Sequence, residues 1–238
     1  MSKGNVTLTG SSLTAGMTNG VENGTGAANI VATGNVTVNE AREEHDKYQS
    51  VQVQRGSFVS STKTDSMQNT QANVGVGSTV SGNTVNIQSG RDLTVQGSTV
   101  VGTNDVNLSA ANNVNIITSK DTVTQDSYYH ETHSGIGTSG LSVSIGTQKK
   151  TDTDHASSVT NNASTIGSLD GTLNIKAGDT LHVTGSDLIA GKNLTGVASN
   201  VAIDSATDTS KKTHSETTSS SGVTLGLSGS IGDAINGA

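Results

Sequence analysis

Short apolar–polar–apolar trios recur along the chain at a constant spacing. Val85-Asn86-Ile87 is followed 21 residues later by Val106-Asn107-Leu108, and Leu93-Thr94-Val95 is followed 21 residues later by Val114-Asn115-Ile116. The alternation has the two-residue period of a half-buried strand. Turn residues such as Ser89-Gly90-Arg91-Asp92 separate the trios. Short strands that repeat at this interval, with turns between them, predict the coils of a parallel β-helix.

This coil predicts which side chains stack. Val85 and Ile87 point inward, and one coil later Val106 lies on Val85 while Leu108 lies on Ile87. Asn86 points outward, so the next Asn107 is expected to lie over it and form a ladder of side-chain amides. Each coil then advances by about 4.8 Å, the spacing of neighbouring strands.

A longer repeat is superimposed on the coils. The segment 85–98 returns 88 residues later as 173–186, and a truncated copy at 5–11 matches 180–186. Repetition at a fixed period is typical of solenoids, in which each unit covers its neighbour's apolar face. We therefore expect one repeat solenoid over residues 1–238, with units at about 1–78, 79–166 and 167–238. Since the first copy starts midway, the chain is expected to be a fragment of a longer protein.

The second half of each unit departs from the coil pattern. Residues 119–161 and those from 207 onward are rich in Ser, Thr, Lys, Asp and His, and they contain alternating stretches at 140–146 and 222–229. The stretch 48–54 corresponds to them in the first unit. We expect extended polar β excursions made of paired strands. The apolar residues expected to contact a membrane or a partner are Leu141, Val143, Ile145, Val223, Leu225 and Leu227. The alternating stretches are shorter than the roughly 9–11 residues of a membrane-spanning strand. We therefore expect the excursions to associate with a membrane more than to span it.

Composition supports a thin, strand-built core. Hydrophobic residues make up 30% and aromatic residues 2% of the chain, which is too little for a thick core of large side chains. Proline, which is excluded from central strands, is absent. The formal net charge of −7 argues against nucleic acid as a partner, and without cysteine there is no thiol chemistry. The apolar runs are too short for a spanning helix.

Three motifs could carry chemistry, but each has a simpler interpretation. Gly135–Gly140 spells G-x-G-x-x-G, yet no helix is expected after it, as nucleotide binding requires. His130 and His133 would point to opposite faces of a strand, which does not suit a metal site. Asp92 and Asp179 could supply the carboxylates of a polysaccharide hydrolase, but they occupy equivalent turns of the repeat, which indicates a role in the turn. The four aromatic residues of the chain are also few for stacking against sugar rings. No enzymatic activity, catalytic residue, cofactor, metal or small-molecule substrate is predicted.

The segments 171–179 and 184–194 resemble haemagglutinin repeats of the filamentous-haemagglutinin superfamily, as do 82–102 and, less fully, 4–16. Coil pairs alternate with polar excursions that end in Gly-Leu-Ser-Val-Ser-Ile-Gly (140–146). This alternation resembles the second haemagglutinin-repeat region of CdiA-type contact-dependent growth inhibition proteins. The first unit departs from the pattern, because residues 17–28 insert extra Gly and Asn where the coil is expected to bulge.

The resemblance implies a right-handed β-helix within a bacterial exoprotein that is exported by two-partner secretion and displayed on the cell surface. Its outer-membrane transporter would act on regions outside this segment. The resemblance further implies that the segment associates with the target cell's outer membrane and aids translocation of a toxin. The resemblance implies no catalytic residues in this segment.

Two other functions stay open at this point. One is a filamentous-haemagglutinin-like adhesin shaft that binds a cell-surface glycan or protein. The other, more distant one is a polysaccharide hydrolase. Lipid-dependent binding favours delivery, saturable binding to a sugar or receptor favours the adhesin, and turnover of a polymer favours the enzyme.

Overall fold

A computed structural model of the chain describes residues 1–18, 21–22, 25–139 and 142–226. The regular elements of these residues are all β-strands: β1 (Val6–Thr9), β2 (Ser12–Thr14), β3 (Met17–Thr18), β4 (Val21–Glu22), β5 (Ala27–Ala32), β6 (Val36–Asn39), β7 (Ala41–Gly56), β8 (Ser60–Val76), β9 (Thr79–Gly82), β10 (Thr84–Ser89), β11 (Leu93–Gln96), β12 (Thr99–Gly102), β13 (Val106–Ala110), β14 (Val114–Ile117), β15 (Ser119–Ser139), β16 (Ser142–Asn162), β17 (Thr165–Ser168), β18 (Leu173–Ala177), β19 (Thr180–Thr184), β20 (Asp187–Ala190), β21 (Leu194–Val197), β22 (Asn200–Asp204) and β23 (Thr209–Gly226).

The short strands form three parallel sheets. Sheet 1 has the order β21-β18-β13-β10-β5, sheet 2 the order β1-β6-β11-β14-β19-β22, and sheet 3 the order β2-β9-β12-β17-β20. One coil takes a strand from each sheet in turn, as β10, β11 and β12 show. The predicted all-β parallel β-helix is therefore confirmed. No helix among the described residues is long and apolar enough to cross a membrane.

The core is a set of apolar columns inside the three sheets. Val85 pairs with Val106 and Ile87 with Leu108, as predicted, and Val106 pairs in turn with Leu173. All five of these side chains are almost fully buried. Each coil thus covers the apolar face of the next, which lets short strands form a stable core without aromatic residues.

The long repeat has a simple origin in the coils. Every second coil is interrupted at the same place, between its strand in sheet 2 and its strand in sheet 3. The long strands β7 and β8 follow β6 there, β15 and β16 follow β14, and β23 follows β22. Two coils plus one excursion make up the 88-residue repeat.

The predicted bulge in the first unit also has a structural counterpart. Residues 17–18 and 21–22 form the two-residue strands β3 and β4, which pair antiparallel through Met17 with Glu22 and Thr18 with Val21. In the chain, β3 and β4 lie between β2 of sheet 3 and β5 of sheet 1. The equivalent connection, between β12 and β13, has only three residues.

The excursion strands form a sheet of their own, with the order β23-β16-β15-β8-β7. Neighbouring strands are antiparallel. Between β15 and β16, for example, Ser127 bonds to Asp154, whereas Ser134, further along β15, bonds to Thr147, earlier in β16. The excursions were correctly predicted to be paired strands, but their expected shortness was wrong. The strands have 16 to 21 residues, because the Ser/Thr-rich flanks of the apolar stretches also join the sheet.

Contacts divide the chain into two compact units. We call Met1–Glu44, Ala72–Thr122 and Val159–Thr209 the coil unit, and His45–Gln71, Val123–Ser158 and Ser210–Ala238 the excursion sheet. The coil unit holds the buried apolar core. In the excursion sheet the described hydrophobic side chains are at most partly buried, so its stability depends on its hydrogen bonds and cross-strand pairs.

Candidate functional site

The hydrogen bonds of the excursion sheet fix which residues lie opposite one another. The Ile136 backbone N–H donates to the Val59 carbonyl oxygen, and the Ser134–Thr147 bond places Ile136 opposite Ile145. The His214–Asp154 bond places Ile145 opposite Val223 in the same way. Residues directly opposite in an antiparallel pair share a face. Val59, Ile136, Ile145 and Val223 therefore form one apolar row across four strands.

This row belongs to a larger exposed surface at the end of the sheet where β7 turns into β8. Val143 and Leu225 flank the row on the same face, and Phe58 lies in the β7–β8 turn. We call these residues the apolar end patch: Phe58, Val59, Ile136, Val143, Ile145, Val223 and Leu225. All seven side chains are exposed, from 43% at Val143 to 105% at Phe58.

The sequence identified about half of this surface. Four of its predicted contact residues, Val143, Ile145, Val223 and Leu225, lie in the patch, and the structure brings them together from two different excursions. Leu141 and Leu227 lie outside the described residues. Phe58, Val59 and Ile136 were not predicted, because alternation within single stretches does not show which strands lie side by side. Whether the patch contacts a membrane or a partner stays a prediction.

The patch ends at a sharp polar boundary. The next row on the same face contains only hydroxyl side chains, namely Ser61, Ser134, Thr147 and Ser221. The row beyond it contains Lys63 and Lys149, both exposed. Successive rows are about 7 Å apart, because two residues of a strand separate them. Apolar, hydroxyl and cationic groups thus follow one another within roughly 14 Å.

On the opposite face at this end, three neighbouring strands place glycine in the same row: Gly135, Gly146 and Gly222. Gly146 lies opposite Gly222, where a Cβ on Gly146 would come 2.6 Å from the Ser221 carbonyl oxygen. Gly135, the first glycine of the G-x-G-x-x-G string, lies beside Ser60 in the same row. The described part of the G-x-G-x-x-G string lies within β15, and its first glycine allows close packing between strands. This strand segment does not form the turn and helix that bind a nucleotide.

Further along this opposite face, polar side chains form a row across all five strands. The register places Gln49, Gln68, Ser127, Asp154 and His214 side by side. The Ser127 hydroxyl donates to Asp154 Oδ2 over 3.3 Å, and His214 Nδ1 lies 2.8 Å from Asp154 Oδ1. We call these five residues the polar row.

An acidic group lies next to the polar row. Oxygen or nitrogen atoms of Asp152, His214 and Glu216 lie within 4.8 Å of one another. The Lys150 ammonium lies 3.3 Å from Asp152 Oδ2 and 3.7 Å from Glu216 Oε1, so a protein cation already faces both carboxylates. This group was not predicted from the sequence, although it has a sequence signal: an Asp-x-Asp strand segment that faces a His-x-Glu segment.

The two histidines of the H-x-x-H string do lie on opposite faces, as predicted. His130 Nδ1 bonds to the Thr151 hydroxyl over 2.8 Å, whereas His133 Nδ1 bonds to the Thr62 hydroxyl over 2.9 Å. The string therefore contributes its imidazoles to two separate surfaces.

Cross-strand bonds shift several pKa values in the excursion sheet. The hydrogen bond from His214 lowers the pKa of Asp154. The bond with Asp152 raises the pKa of Lys150 by stabilising the ammonium form. The Tyr129 hydroxyl donates to Glu131 Oε2 over 2.5 Å, and this bond raises the pKa of Tyr129. These groups are solvent-accessible, so we take the shifts as signs of the pairing, not of catalytic tuning.

The stacked coils and alternating excursions define a haemagglutinin-type repeat solenoid. The chain belongs to the hemagglutinin repeat family, whose sequence profile matches residues 1–134 and 143–238. It is 51% identical over 214 residues, 90% of its length, to the "tRNA nuclease CdiA-2" of Burkholderia pseudomallei strain 1026b. It is 55% identical over 185 residues, 77% of its length, to a "tRNA nuclease CdiA" of Burkholderia pseudomallei. It is also 35% identical over 223 residues, 89% of its length, to the "tRNA nuclease CdiA" of Escherichia coli strain STEC_O31. No solved structure gives a significant match.

The matches concern a small part of these relatives. The chain spans 7%, 15% and 7% of their respective lengths. It is thus a repeat segment like those of CdiA-type surface exoproteins, and the matched region is structural. The nuclease activity in the names of these relatives refers to those whole proteins.

Proposed function

We propose that this chain is a delivery segment of a surface exoprotein secreted by a two-partner system. In this proposal the excursion sheet associates with the target cell's outer membrane during contact-dependent growth inhibition and aids translocation of a toxin. The export transporter would act on other regions of the protein, and the three repeat units at about 1–78, 79–166 and 167–238 would provide successive excursions. The observation that carries the proposal is the apolar end patch, which gathers exposed side chains of all three excursions on one face.

The size of the patch supports reversible association. Burying a Val, Leu or Ile side chain completely contributes about 1.5–3 kcal/mol. Seven side chains that are already partly covered would together contribute roughly 7–13 kcal/mol on complete entry into the headgroup–acyl boundary. At about 0.8 kcal/mol per buried CH₂, that is comparable to the hydrophobic contribution of a single myristoyl chain, which binds membranes reversibly. The patch therefore suits a surface that docks on contact.

The rows behind the patch suit the same environment. Once the apolar row is at the acyl boundary, the hydroxyl row and then Lys63 and Lys149 lie among the headgroups. A lysine near an anionic membrane surface contributes about 1 kcal/mol, and less when salt screens it. Lys63 is partly paired with Asp65 at 3.4 Å, so Lys149 is expected to contribute more.

A vesicle-binding experiment tests the proposal. The purified chain is mixed with outer-membrane vesicles, and its partitioning and the protease protection of residues 119–161 and 207–226 are measured. Val143→Asp removes a patch side chain and introduces a charge, so we expect about tenfold weaker partitioning, equivalent to about 1.4 kcal/mol. Val53→Asp is the matched control, because Val53 is an exposed valine on the other face of the same sheet.

Two results would contradict the delivery proposal. One is the absence of vesicle binding by wild-type chain that circular dichroism shows to be folded, which would favour the adhesin shaft. The other is equal loss of binding in Val143→Asp and Val53→Asp, which would mean that the patch has no special part in the contact.

A further inference from the structure

A cavity with a mixed polar and apolar lining, on the face opposite the apolar end patch, is unexplained by membrane association. Its volume is about 400 Å³, within the range of roughly 300–1,000 Å³ that is typical of small-molecule sites. Four strands contribute to its walls. The hydrogen-bonding side chains among them include Gln49, Gln68, Gln125, Ser127, Asp152 and Asp154.

We propose that this cavity binds a neutral oligosaccharide whose sugar units lie along the polar row. The proposal does not rest on the membrane contact, because it uses the other face of the sheet and a different chemistry. It adds a ligand class to the excursion sheet, namely the hydroxyl-rich glycans that cover bacterial surfaces.

Free hydrogen-bonding capacity is the first argument. The amides of Gln49, Gln68 and Gln125 form no side-chain hydrogen bonds within the described part of the chain. Each of these amides can both donate to and accept from a hydroxyl.

Geometry is the second argument. The polar row presents one hydrogen-bonding side chain per strand, and neighbouring strands are about 4.8 Å apart. A ligand that lies across the strands therefore meets a new donor or acceptor at each step. Tyr129 also lines the cavity, and its hydroxyl is already bonded to Glu131. The Tyr129 ring is thus available as an apolar surface for the C–H face of a sugar ring.

Charge is the third argument, and it selects a neutral ligand. Lys150 lies 3.3 Å from Asp152 Oδ2. The pKa of Asp154 is lowered mainly by its hydrogen bond with His214, and to a smaller extent by the positive charges of His214 and Lys212. The cavity's two carboxylates therefore already face protein cations. A cationic ligand would have to displace these lysines, and an anionic one would meet the carboxylates. A neutral ligand has neither cost.

The test uses the folded chain without lipid and measures saturation-transfer NMR with lactose, maltose and chitobiose as probes. We expect transfer to at least one disaccharide and at least fivefold weaker binding by Gln68→Ala and by Ser127→Ala. Gln54→Ala is the matched control, because Gln54 is an exposed glutamine of β7 on the opposite face. It is expected to bind like wild type.

Three results would overturn the sugar-binding proposal. No transfer to any of the three probes at millimolar concentration would overturn the proposal. So would equal weakening by Gln54→Ala and Gln68→Ala, with both variants folded by circular dichroism. Binding of spermidine in place of the sugars would overturn it in favour of a cation site. Vesicle binding is unaffected by any of these results, so the membrane proposal stands or falls separately.

Discussion

The Asn107 side-chain amide donates from Nδ2 to Oδ1 of Asn86 over 2.9 Å. This bond joins two adjacent coils on the outside of sheet 1 and belongs to a longer ladder. Asn86 donates to Asn29 over 2.8 Å, and Asn174 donates to Asn107 over 2.9 Å. The four asparagines follow one another through four stacked coils. The ladder adds side-chain hydrogen bonds on the outer face of the sheet to the stabilisation that the apolar core provides on its inner face.

Removing the middle of the ladder is expected to destabilise the coil unit. Asn107→Ala removes the bonds to both Asn86 and Asn174, each worth about 1 kcal/mol, so a loss of about 2 kcal/mol is expected. Asn174→Ala is the control, because it removes only the bond to Asn107 and should cost about half as much. Urea unfolding, followed by circular dichroism, measures both. Equal costs would show that the bonds do not act as a ladder.

Gly97 is expected to tolerate no side chain. Its φ is +54°, a left-handed conformation that favours glycine, and an added Cβ would come 2.3 Å from Ser119 Oγ. Gly97→Ala should therefore cost about 2 kcal/mol or more, from backbone strain and displacement of the hydroxyl. At Gly167 a Cβ would meet only Val101 Cγ2, at 3.6 Å. Gly167→Ala is the matched control and should change the unfolding free energy by less than about 0.5 kcal/mol. A similar cost at both glycines would contradict the steric argument.

The coil was predictable because its signal is local. Val85 and Val106 belong to consecutive uninterrupted turns, so a fixed spacing in the sequence is enough to stack them. Val106 and Leu173 are also stacked, but an excursion lies between them in the chain. The position at which each excursion leaves the coil follows from the three-sheet path, which the spacing of single trios does not reveal.

The excursion surfaces were less predictable because their residues come from strands that are distant in the chain. The alternation of Val143 and Ile145 was visible in one stretch. That Ile136 and Val59 would join them depends on the pairing of β8 with β15, which links different repeat units. The polar row was missed for the same reason, since Gln49 and His214 are its two ends. A two-residue period shows which residues of one strand share a face. Only the register between strands shows which of these faces lie on the same side of the sheet.

An ion pair in the coil unit joins a buried carboxylate to an exposed guanidinium, and we expect it to be sensitive to loss of this cation. The Glu40 carboxylate is almost fully buried, and it accepts hydrogen bonds from Arg42 Nη1 and Ser119 Oγ. Arg42 also donates from Nη2 to the Asn73 carbonyl oxygen over 2.7 Å. Arg42→Met leaves the carboxylate buried without a cation, so a loss of about 3 kcal/mol in unfolding free energy is expected.

Two further variants test this explanation. Glu40→Gln combined with Arg42→Met should recover part of the loss, because no charge is then left buried. Arg55→Met is the control, since Arg55 is exposed and its replacement should change stability by less than about 0.5 kcal/mol. Chemical denaturation of the four proteins supplies the comparison. A double variant less stable than Arg42→Met alone would show that the arginine acts through packing and not through its charge.

The Asp154–His214 pair is expected to depend on pH in a defined direction. The hydrogen bond from His214 lowers the pKa of Asp154 in the folded chain, with a smaller contribution from the positive charge of His214. A carboxyl group whose pKa is depressed by folding stabilises the fold above its unfolded pKa. That contribution is lost as the pH falls through the folded pKa. The pairing of β16 with β23 should therefore weaken in acid below the ordinary pKa range of aspartate.

Carbon-13 NMR titration of the aspartate carboxyl groups tests this pair directly. In wild type the pKa of Asp154 should lie below its ordinary value, and His214→Ala should move it upward. Asp208 supplies an internal control, because the pKa of its carboxyl is lowered by the backbone N–H and side-chain amide of Asn161. His214→Ala should leave the Asp208 pKa unchanged. If the pKa of Asp154 stayed depressed in His214→Ala, the imidazole would not be its cause, and the stabilising contact between β16 and β23 would have to be sought in the neighbouring Lys150–Glu216 pair.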